Sequence, residues 1–155
     1  YKGDCLDGIE FQRKIEQSVF SLGNGLPLCQ RFGDFNTSKS TDKGDVAKVL
    51  PSVKSGVRYG DISKAFPEFI TDSLKEGIKA FGKKLKGFDD DEALLIAPET
   101  RSSSPIRILR NDEFLASFSG LYPCGEGAGY AGGITSAAVD GLKCAEWVVS
   151  HINRE

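Results

Sequence analysis

Histidine is nearly absent from this 155-residue sequence: His151, close to the end, is the only one. With one imidazole and widely spread cysteines a zinc site is not expected, and the serines of the Glu99 to Arg107 stretch have no histidine base with which to form a Ser-His-Asp hydrolase. The four cysteines, Cys5, Cys29, Cys124 and Cys144, contain no C-x-x-C pair and are too sparse for a disulfide scaffold. They are expected to be reduced, in a soluble intracellular protein of the cytoplasm or of an organelle stroma or matrix, with no bound metal. An excess of one charge is also missing. Twenty Lys and Arg against 22 Asp and Glu leave a net charge of −2, and the pI is about 5.5, so no global basic field invites nucleic acid. No apolar run approaches the roughly 20 residues that span a bilayer. The chain starts with tyrosine rather than methionine and no signal-peptide pattern follows, so its start is expected to have been trimmed or processed.

What remains is enough chain for about one ordinary domain with a core. Asp7 is placed to cap a helix from about Gly8 to Phe20, with Ile9, Phe11, Ile15 and Val19 on its apolar side and Gly23 as terminator. Gly25 to Phe35 reads as a short irregular strand, and Asn36 to Gly44 as a polar loop, the most mobile part of the chain. Val46 to Ser52 ends at Leu50-Pro51, where the residue before proline is pushed toward extended geometry.

The strongest helix follows. Asp61 caps a short turn through Ala65, Pro67 suits a first helical position, and Ile70, Leu74, Ile78, Phe81 and Leu85 recur on one face until Gly87. Lys75, Lys79, Lys83, Lys84 and Lys86 read as its solvated face. After the acidic turn Asp89 to Glu92, Ala93 to Ala97 reads as a buried strand bounded by Pro98. Ile106 to Leu109 and Gly120 to Tyr122 are two further strand candidates. A last helix runs from about Gly133 to His151, with Ile134, Ala137, Ala138, Gly141, Ala145, Val148 and Ile152 on one broad, small-residue face.

The chemistry concentrates in Gly120 to Gly141, GLYPCGEGAGYAGGITSAAVDG. Tight helix-on-sheet packing explains the alanines, but not the five glycines between Gly125 and Gly133. Glycines let backbone approach a ligand closely, and a helix beginning there aims unpaired N–H groups and a positive dipole end at it. The pattern describes a cradle for an anionic or electron-rich cofactor. Glu126, between two glycines, is either a solvated loop carboxylate or an acceptor for sugar or ribityl hydroxyls. The hydroxyl-rich turn Glu99 to Arg107, with Arg101 and Arg107, either lines a polar site or is ordinary loop. Cys124 lies beside the cradle and either touches a cofactor ring or, as the simpler account has it, is a packed, inert thiol.

Taken in order, several blocks resemble the C-terminal part of a family of FAD-dependent dehydrogenases, related to the two-dinucleotide-domain NAD(P)- and FAD-dependent oxidoreductases. They are Gly8-Ile9-Glu10-Phe11-Gln12-Arg13 with Ile15-Glu16, Gln30-Arg31 with Asp34-Phe35, and Leu50-Pro51-Ser52 with Gly56-Val57. The two most specific are Glu99-Thr100-Arg101 with Ser103 to Ile108, and Gly120 through Gly141. The resemblance runs from about Asp7 to Val149. It implies a flavoprotein whose closing glycine loop completes the FAD site. Gly125, Glu126 and Gly127 would meet the ribityl or sugar–phosphate linker, and Gly132, Gly133 and Ile134 the pyrimidine edge of the flavin. Ser103, Ser104, Pro105 and Arg107 would pass near the isoalloxazine. No catalytic acid or base follows from it.

The fold class implied is α/β, locally α+β: a partial FAD-binding domain lacking the N-terminal Rossmann βαβ, with a mainly helical insert. Residues 1–92 are expected to form the insert or cap and residues 93–155 the C-terminal segment of the FAD-binding domain. The family's opening strand, G-x-G-x-x-G turn and helix are not in this sequence, and Gly127-Ala128-Gly129 with Gly132 only mimics them. FAD is therefore expected if an N-terminal half is supplied, or none in this chain alone. That half, or other protein chains, are the expected partners. Two alternatives stand beside an oxidoreductase fragment: a flavin-free structural subunit of a larger assembly, and a generic phosphate-binding module.

Overall fold

The structure, a computed structural model, describes residues 3–46 and 50–152. It is a mixture of helix with one small sheet, an α+β partial domain, and by packing it separates into two compact units. One is Arg13–Thr100; the other joins Tyr1–Gln12 to Arg101–Glu155. Among the described residues the helices are α1 (Asp7–Gly23), α2 (Phe32–Asn36), α3 (Glu68–Gly82) and α4 (Ile134–Ile152). The strands are β1 (Leu28–Arg31), β2 (Arg58–Tyr59) and β3 (Leu94–Ala97).

In the unit Arg13–Thr100, β1 is the middle strand of the order β2-β1-β3, parallel to β2 and antiparallel to β3. Its pairing runs Leu28 to Ala97 through Arg31 to Leu94. A central strand must satisfy both edges and hide both faces, and Leu28, Cys29 and Gln30 are buried accordingly. Val19 from α1, Leu28, Phe32, Phe35, Ile62, Ala65 and Ala97 form the core, flanked by Phe66, Ile78, Ala93 and Leu95. The predicted strand over Gly25 to Phe35 is thus shorter, because Phe32 and Phe35 turn into α2 and enter the core from a helix. The strand predicted as buried at Ala93 to Ala97 is instead an edge strand, and Ile96 is 45% exposed on its open side.

The polar segment after α2 is pinned rather than loose. Thr41 is fully buried; its hydroxyl donates to Asp34 Oδ2 at 2.7 Å and accepts from the Arg31 N–H at 3.0 Å. The Arg31 guanidinium grips both Asp34 oxygens, at 2.9 and 3.1 Å, and reaches Glu92 at 3.1 Å. These contacts hold the Asp34 carboxyl below the usual carboxylate range, with Arg31 as the main cause, against the opposing effect of burial. Gln30, buried on β1, uses both ends of its amide: Oε1 accepts from the Ile62 N–H at 2.7 Å, and Nε2 donates to the Lys39 carbonyl at 2.6 Å. Beyond it, residues 47–49 of the predicted extended segment lie outside the described residues.

Asp61 caps the turn Ile62–Ala65 by accepting from the Ser63 N–H, as its spacing predicts. Pro67 then stands just before α3 rather than inside it. The packed side of α3 is rotated from the predicted stripe. Thr71 is buried and Ile78 meets the core, whereas Leu74 and Phe81 are exposed. Lys75, predicted on the solvated face, lies across Phe35 with its Nζ 2.9 Å from Ser38 Oγ, so its stem covers apolar surface. The helix ends at Gly82, ahead of Gly87, where the chain folds back so tightly that a Cβ would collide with the Asp89 carboxylate. The second unit carries the glycine loop.

Candidate functional site

In the second unit, Asp7 is already helical: its carboxylate takes the Gly3 N–H, while Asp4 accepts from the Leu6 N–H and supplies the turn into α1. Gly8 lies so close to Pro105 that a Cβ there would sit 2.9 Å from the proline ring, and Gln12 Nε2 reaches the Ser103 carbonyl at 3.4 Å.

The two blocks that the sequence singles out, Ser103 to Arg107 and Gly125 to Gly133, come together. Glu126 Oε1 accepts the Ser103 N–H at 2.6 Å. Arg107 Nε donates to the Gly129 carbonyl at 3.0 Å, and the Ile108 N–H to the Ala128 carbonyl at 3.1 Å. Gly129 has φ +82°, and a Cβ on it would collide with the Ile106 carbonyl oxygen. Here glycine is required twice, by conformation and by the closeness of the neighbouring segment. The contact consists of isolated bonds and not a ladder, so the strand predicted at Ile106 to Leu109 does not form. Nor does a strand form at Gly120 to Tyr122: Gly120, at φ +78°, ends a turn closed by the Leu121 N–H bonding the Phe118 carbonyl.

Between the blocks lies an open pocket of about 210 Å³, lined by Ser103, Ser104, Arg107 and Gly129 through Gly132. Ser103 has φ +75°, a strained geometry for a residue with a side chain, and the Glu126 bond fixes it. Its hydroxyl stands 3.1 Å from where a Gly132 Cβ would be, so only glycine leaves that side of the pocket open. The Arg107 guanidinium lies 5.0 Å from the Tyr130 ring centroid. The pocket offers two hydroxyls, one cation and a run of glycine backbone to a polar, planar or anionic ligand edge.

The start of α4 forms the adjoining wall. Gly133 precedes the helix, and Ser136 folds back so that its hydroxyl accepts from the Gly133 N–H at 3.2 Å and donates to the Gly133 carbonyl at 3.0 Å. Having no side chain, Gly133 cannot cap the first-turn N–H groups. The Gly125 N–H, by contrast, is bonded to Asp140 Oδ2 at 2.8 Å, and Gly127 stands open. Pro105 faces Gly8, and Ile134 is 94% exposed.

Sequence reading overlooked the clasp that holds this loop. Arg110 donates to both Asp140 oxygens, at 2.9 and 2.6 Å, and to the Pro123 carbonyl at 2.7 Å. Its guanidinium stacks 3.7 Å from the Tyr130 centroid and 4.5 Å from that of Phe114, and the Tyr130 hydroxyl accepts from the Arg110 N–H. Arg110 holds the Asp140 carboxyl below its ordinary range, with the Gly125 N–H assisting against burial. The signal available was an arginine and an aspartate of opposite charge on segments flanking the glycines, which composition alone cannot pair.

The buried face of α4 also departs from expectation. Ala137, Asp140, Gly141, Cys144, Trp147 and Val148 turn inward to differing degrees. Ile134, Ala138, Leu142 and Ala145, spaced along the opposite side, are exposed. The Ile152 side chain lies outside the described residues. Nor is Cys124 a packed thiol: it is exposed, while Cys144 is buried. Among the described residues, Ala128 and Cys144 are the only buried hydrophobic residues of this unit.

A family described as FAD-dependent protein, C-terminal domain-like, matches residues 1–102. The chain belongs to that family. The match stops just before Ser103, so the glycine loop lies beyond it. A protein of Clostridium beijerinckii, named only as an uncharacterized protein, is 43% identical over 158 residues. The alignment takes in 99% of this chain and 29% of that protein, so the chain spans less than a third of its relative's length. Among the described residues, no helix of this FAD-dependent family member is long and apolar enough to cross a membrane.

Proposed function

We propose that this chain is the C-terminal portion of an FAD-dependent oxidoreductase and that it completes the isoalloxazine end of the flavin site. The observation that carries the proposal is the pocket at Ser103, Ser104, Arg107 and Gly129 to Gly132, joined by the Glu126 to Ser103 bond. Ligand sites for whole cofactors run to several hundred Å³ (about 300–1,000), so a pocket of about 210 Å³ suits one edge of a flavin and not the complete dinucleotide. The residues fit that edge. The Ser103 and Ser104 hydroxyls and Arg107 would take ring heteroatoms, and the second carboxylate oxygen of Glu126 a ribityl or sugar hydroxyl. Glycine backbone from Gly125 and Gly127 through Gly132 and Gly133 to Ile134 would approach the group without side chains in the way. FAD would supply the redox chemistry when bound; this chain would hold and orient it, with the positive dipole end of α4 at the pocket wall.

The remaining half of the cradle is the proposed partner: an N-terminal FAD-binding half, or other chains that supply it. Among the described residues the unit that carries the glycine loop buries only Ala128 and Cys144 of its hydrophobic residues, and its α4 exposes Ile134 and Leu142, apolar surface that a partner would cover. Residues 1–92 take the role of insert or cap over the ring, and residues 93–155 that of the closing segment. This division by role differs from the division by packing.

The test is FAD titration of two proteins: the isolated chain, and a chimera in which this chain replaces the matching segment of the Clostridium beijerinckii relative. The chimera is expected to retain about one FAD through gel filtration and the isolated chain none. A colourless chimera, where the intact relative is yellow, would overturn the flavin reading. A micromolar dissociation constant for the isolated chain would overturn the shared-cradle part of it.

A further inference from the structure

Cys124 and Cys144 have no part in the flavin reading, yet the fold brings them to one place. Gly125, next to Cys124, is tied through its N–H to Asp140 on α4 at 2.8 Å. Cys144 follows Asp140 by one helical turn on the same face. On the other side of Cys124, the Tyr122 carbonyl lies 4.0 Å from Cys144 Sγ. The segment that carries Cys124 thus contacts α4 at Asp140 and, one turn later, at Cys144. One is open to solvent and the other buried, and both are free.

We propose that Cys124 and Cys144 are a reversible dithiol–disulfide pair that bolts the glycine loop to α4. The oxidant is a low-molecular-weight disulfide, RSSR. Cys124, the exposed thiol, gives its proton to solvent as its sulfur attacks one sulfur of RSSR. A Cys124–SR bond forms, the RS–SR bond breaks, and one RS⁻ leaves with the electron pair. Cys144 then gives its proton to solvent and attacks Cys124 Sγ, expelling the second RS⁻. Two protein thiols are oxidised by two electrons and RSSR is reduced to two RSH. The order follows from access: Cys124 is exposed and Cys144 is buried, so an external disulfide meets Cys124 first and Cys144 resolves the adduct from within. The pair functions whether or not the loop meets a flavin.

The experiment exposes the whole chain to oxidised glutathione, blocks remaining thiols with an alkylating agent, and maps peptides by mass. Wild type is expected to lose both thiols to one peptide pair linking Cys124 to Cys144, while Cys5 serves as an exposed control. Cys144→Ser is expected to stop at glutathionylated Cys124, an adduct that persists at least about tenfold longer than in wild type. Cys144→Ala provides the same readout should serine disturb the buried position. Cys124→Ser is expected to leave Cys144 alkylatable after denaturation. Wild type that keeps an unresolved glutathione adduct on Cys124, keeps both thiols free, or links Cys124 only to Cys5 or a second molecule would overturn the proposal.

Discussion

Arg110 and Asp140 meet through two parallel hydrogen bonds of 2.9 and 2.6 Å, with both side chains mostly buried at 11% and 17% exposure. The same carboxylate holds the Gly125 N–H and the same guanidinium holds the Pro123 carbonyl. One ion pair therefore fastens the glycine loop to α4 on both sides of Cys124. Removing one partner strands the other in a dry place, so Arg110→Ala is expected to lower unfolding free energy by about 3 kcal/mol. Arg110→Lys keeps the charge but not the planar fork and should lose about 1 kcal/mol. Urea midpoints at constant m-value measure both.

Acid should act on both units. The Asp34 and Asp140 carboxyls are held low by Arg31 and Arg110. Their protonation is harder in the folded chain than in the unfolded one. The stability they contribute is complete above about pH 4, where a free aspartate is ionised. It is lost as pH falls from there through the depressed folded values. Urea midpoints followed from pH 6 downward are expected to drop below about pH 4, and to drop less steeply in Asp34→Asn and Asp140→Asn. An unchanged slope in both variants would show that other carboxylates carry the effect.

Local signals survived folding better than long-range ones. The cap at Asp61 and the last helix, predicted from about Gly133 to His151 and found over Ile134–Ile152, depend on neighbours a few residues away. The glycine loop and the Ser103 block were legible because their composition is unusual, and the structure joins them through Glu126. Which side of a helix packs depends on what lies opposite. Thr71 and Lys75 therefore replaced Leu74 on the inner side of α3, and Asp140 replaced Ala138 on α4. Gln30, Thr41, Arg110 and Asp140 were silent for the same reason: a buried polar residue makes sense only beside its partner, and each partner is distant in sequence.

Thr71 supplies a prediction of the opposite sign. It is buried, and its hydroxyl Oγ1 has no hydrogen-bond partner among the described residues. Valine has nearly the same shape and nothing to desolvate. Thr71→Val is expected to stabilise the Arg13–Thr100 unit by about 1 kcal/mol, read as a raised urea midpoint. A lowered midpoint would mean that the hydroxyl finds a partner in solution.

Glu126 separates the structural from the binding contribution of the loop. Its Oε1 holds the Ser103 N–H at 2.6 Å and so maintains the φ of +75° there. Glutamine preserves that acceptor through its amide oxygen but replaces the second carboxylate oxygen with a donor. Alanine removes both. Glu126→Gln should therefore change the stability of the isolated chain by less than about 0.5 kcal/mol, and Glu126→Ala should reduce it by about 1–2 kcal/mol. In the chimera that retains FAD, both variants are expected to weaken flavin binding about tenfold, near 1.4 kcal/mol, because each lacks the oxygen that would accept a ribityl or sugar hydroxyl. Equal flavin affinity for wild type and Glu126→Gln would remove Glu126 from the binding set, while leaving its hold on Ser103 intact.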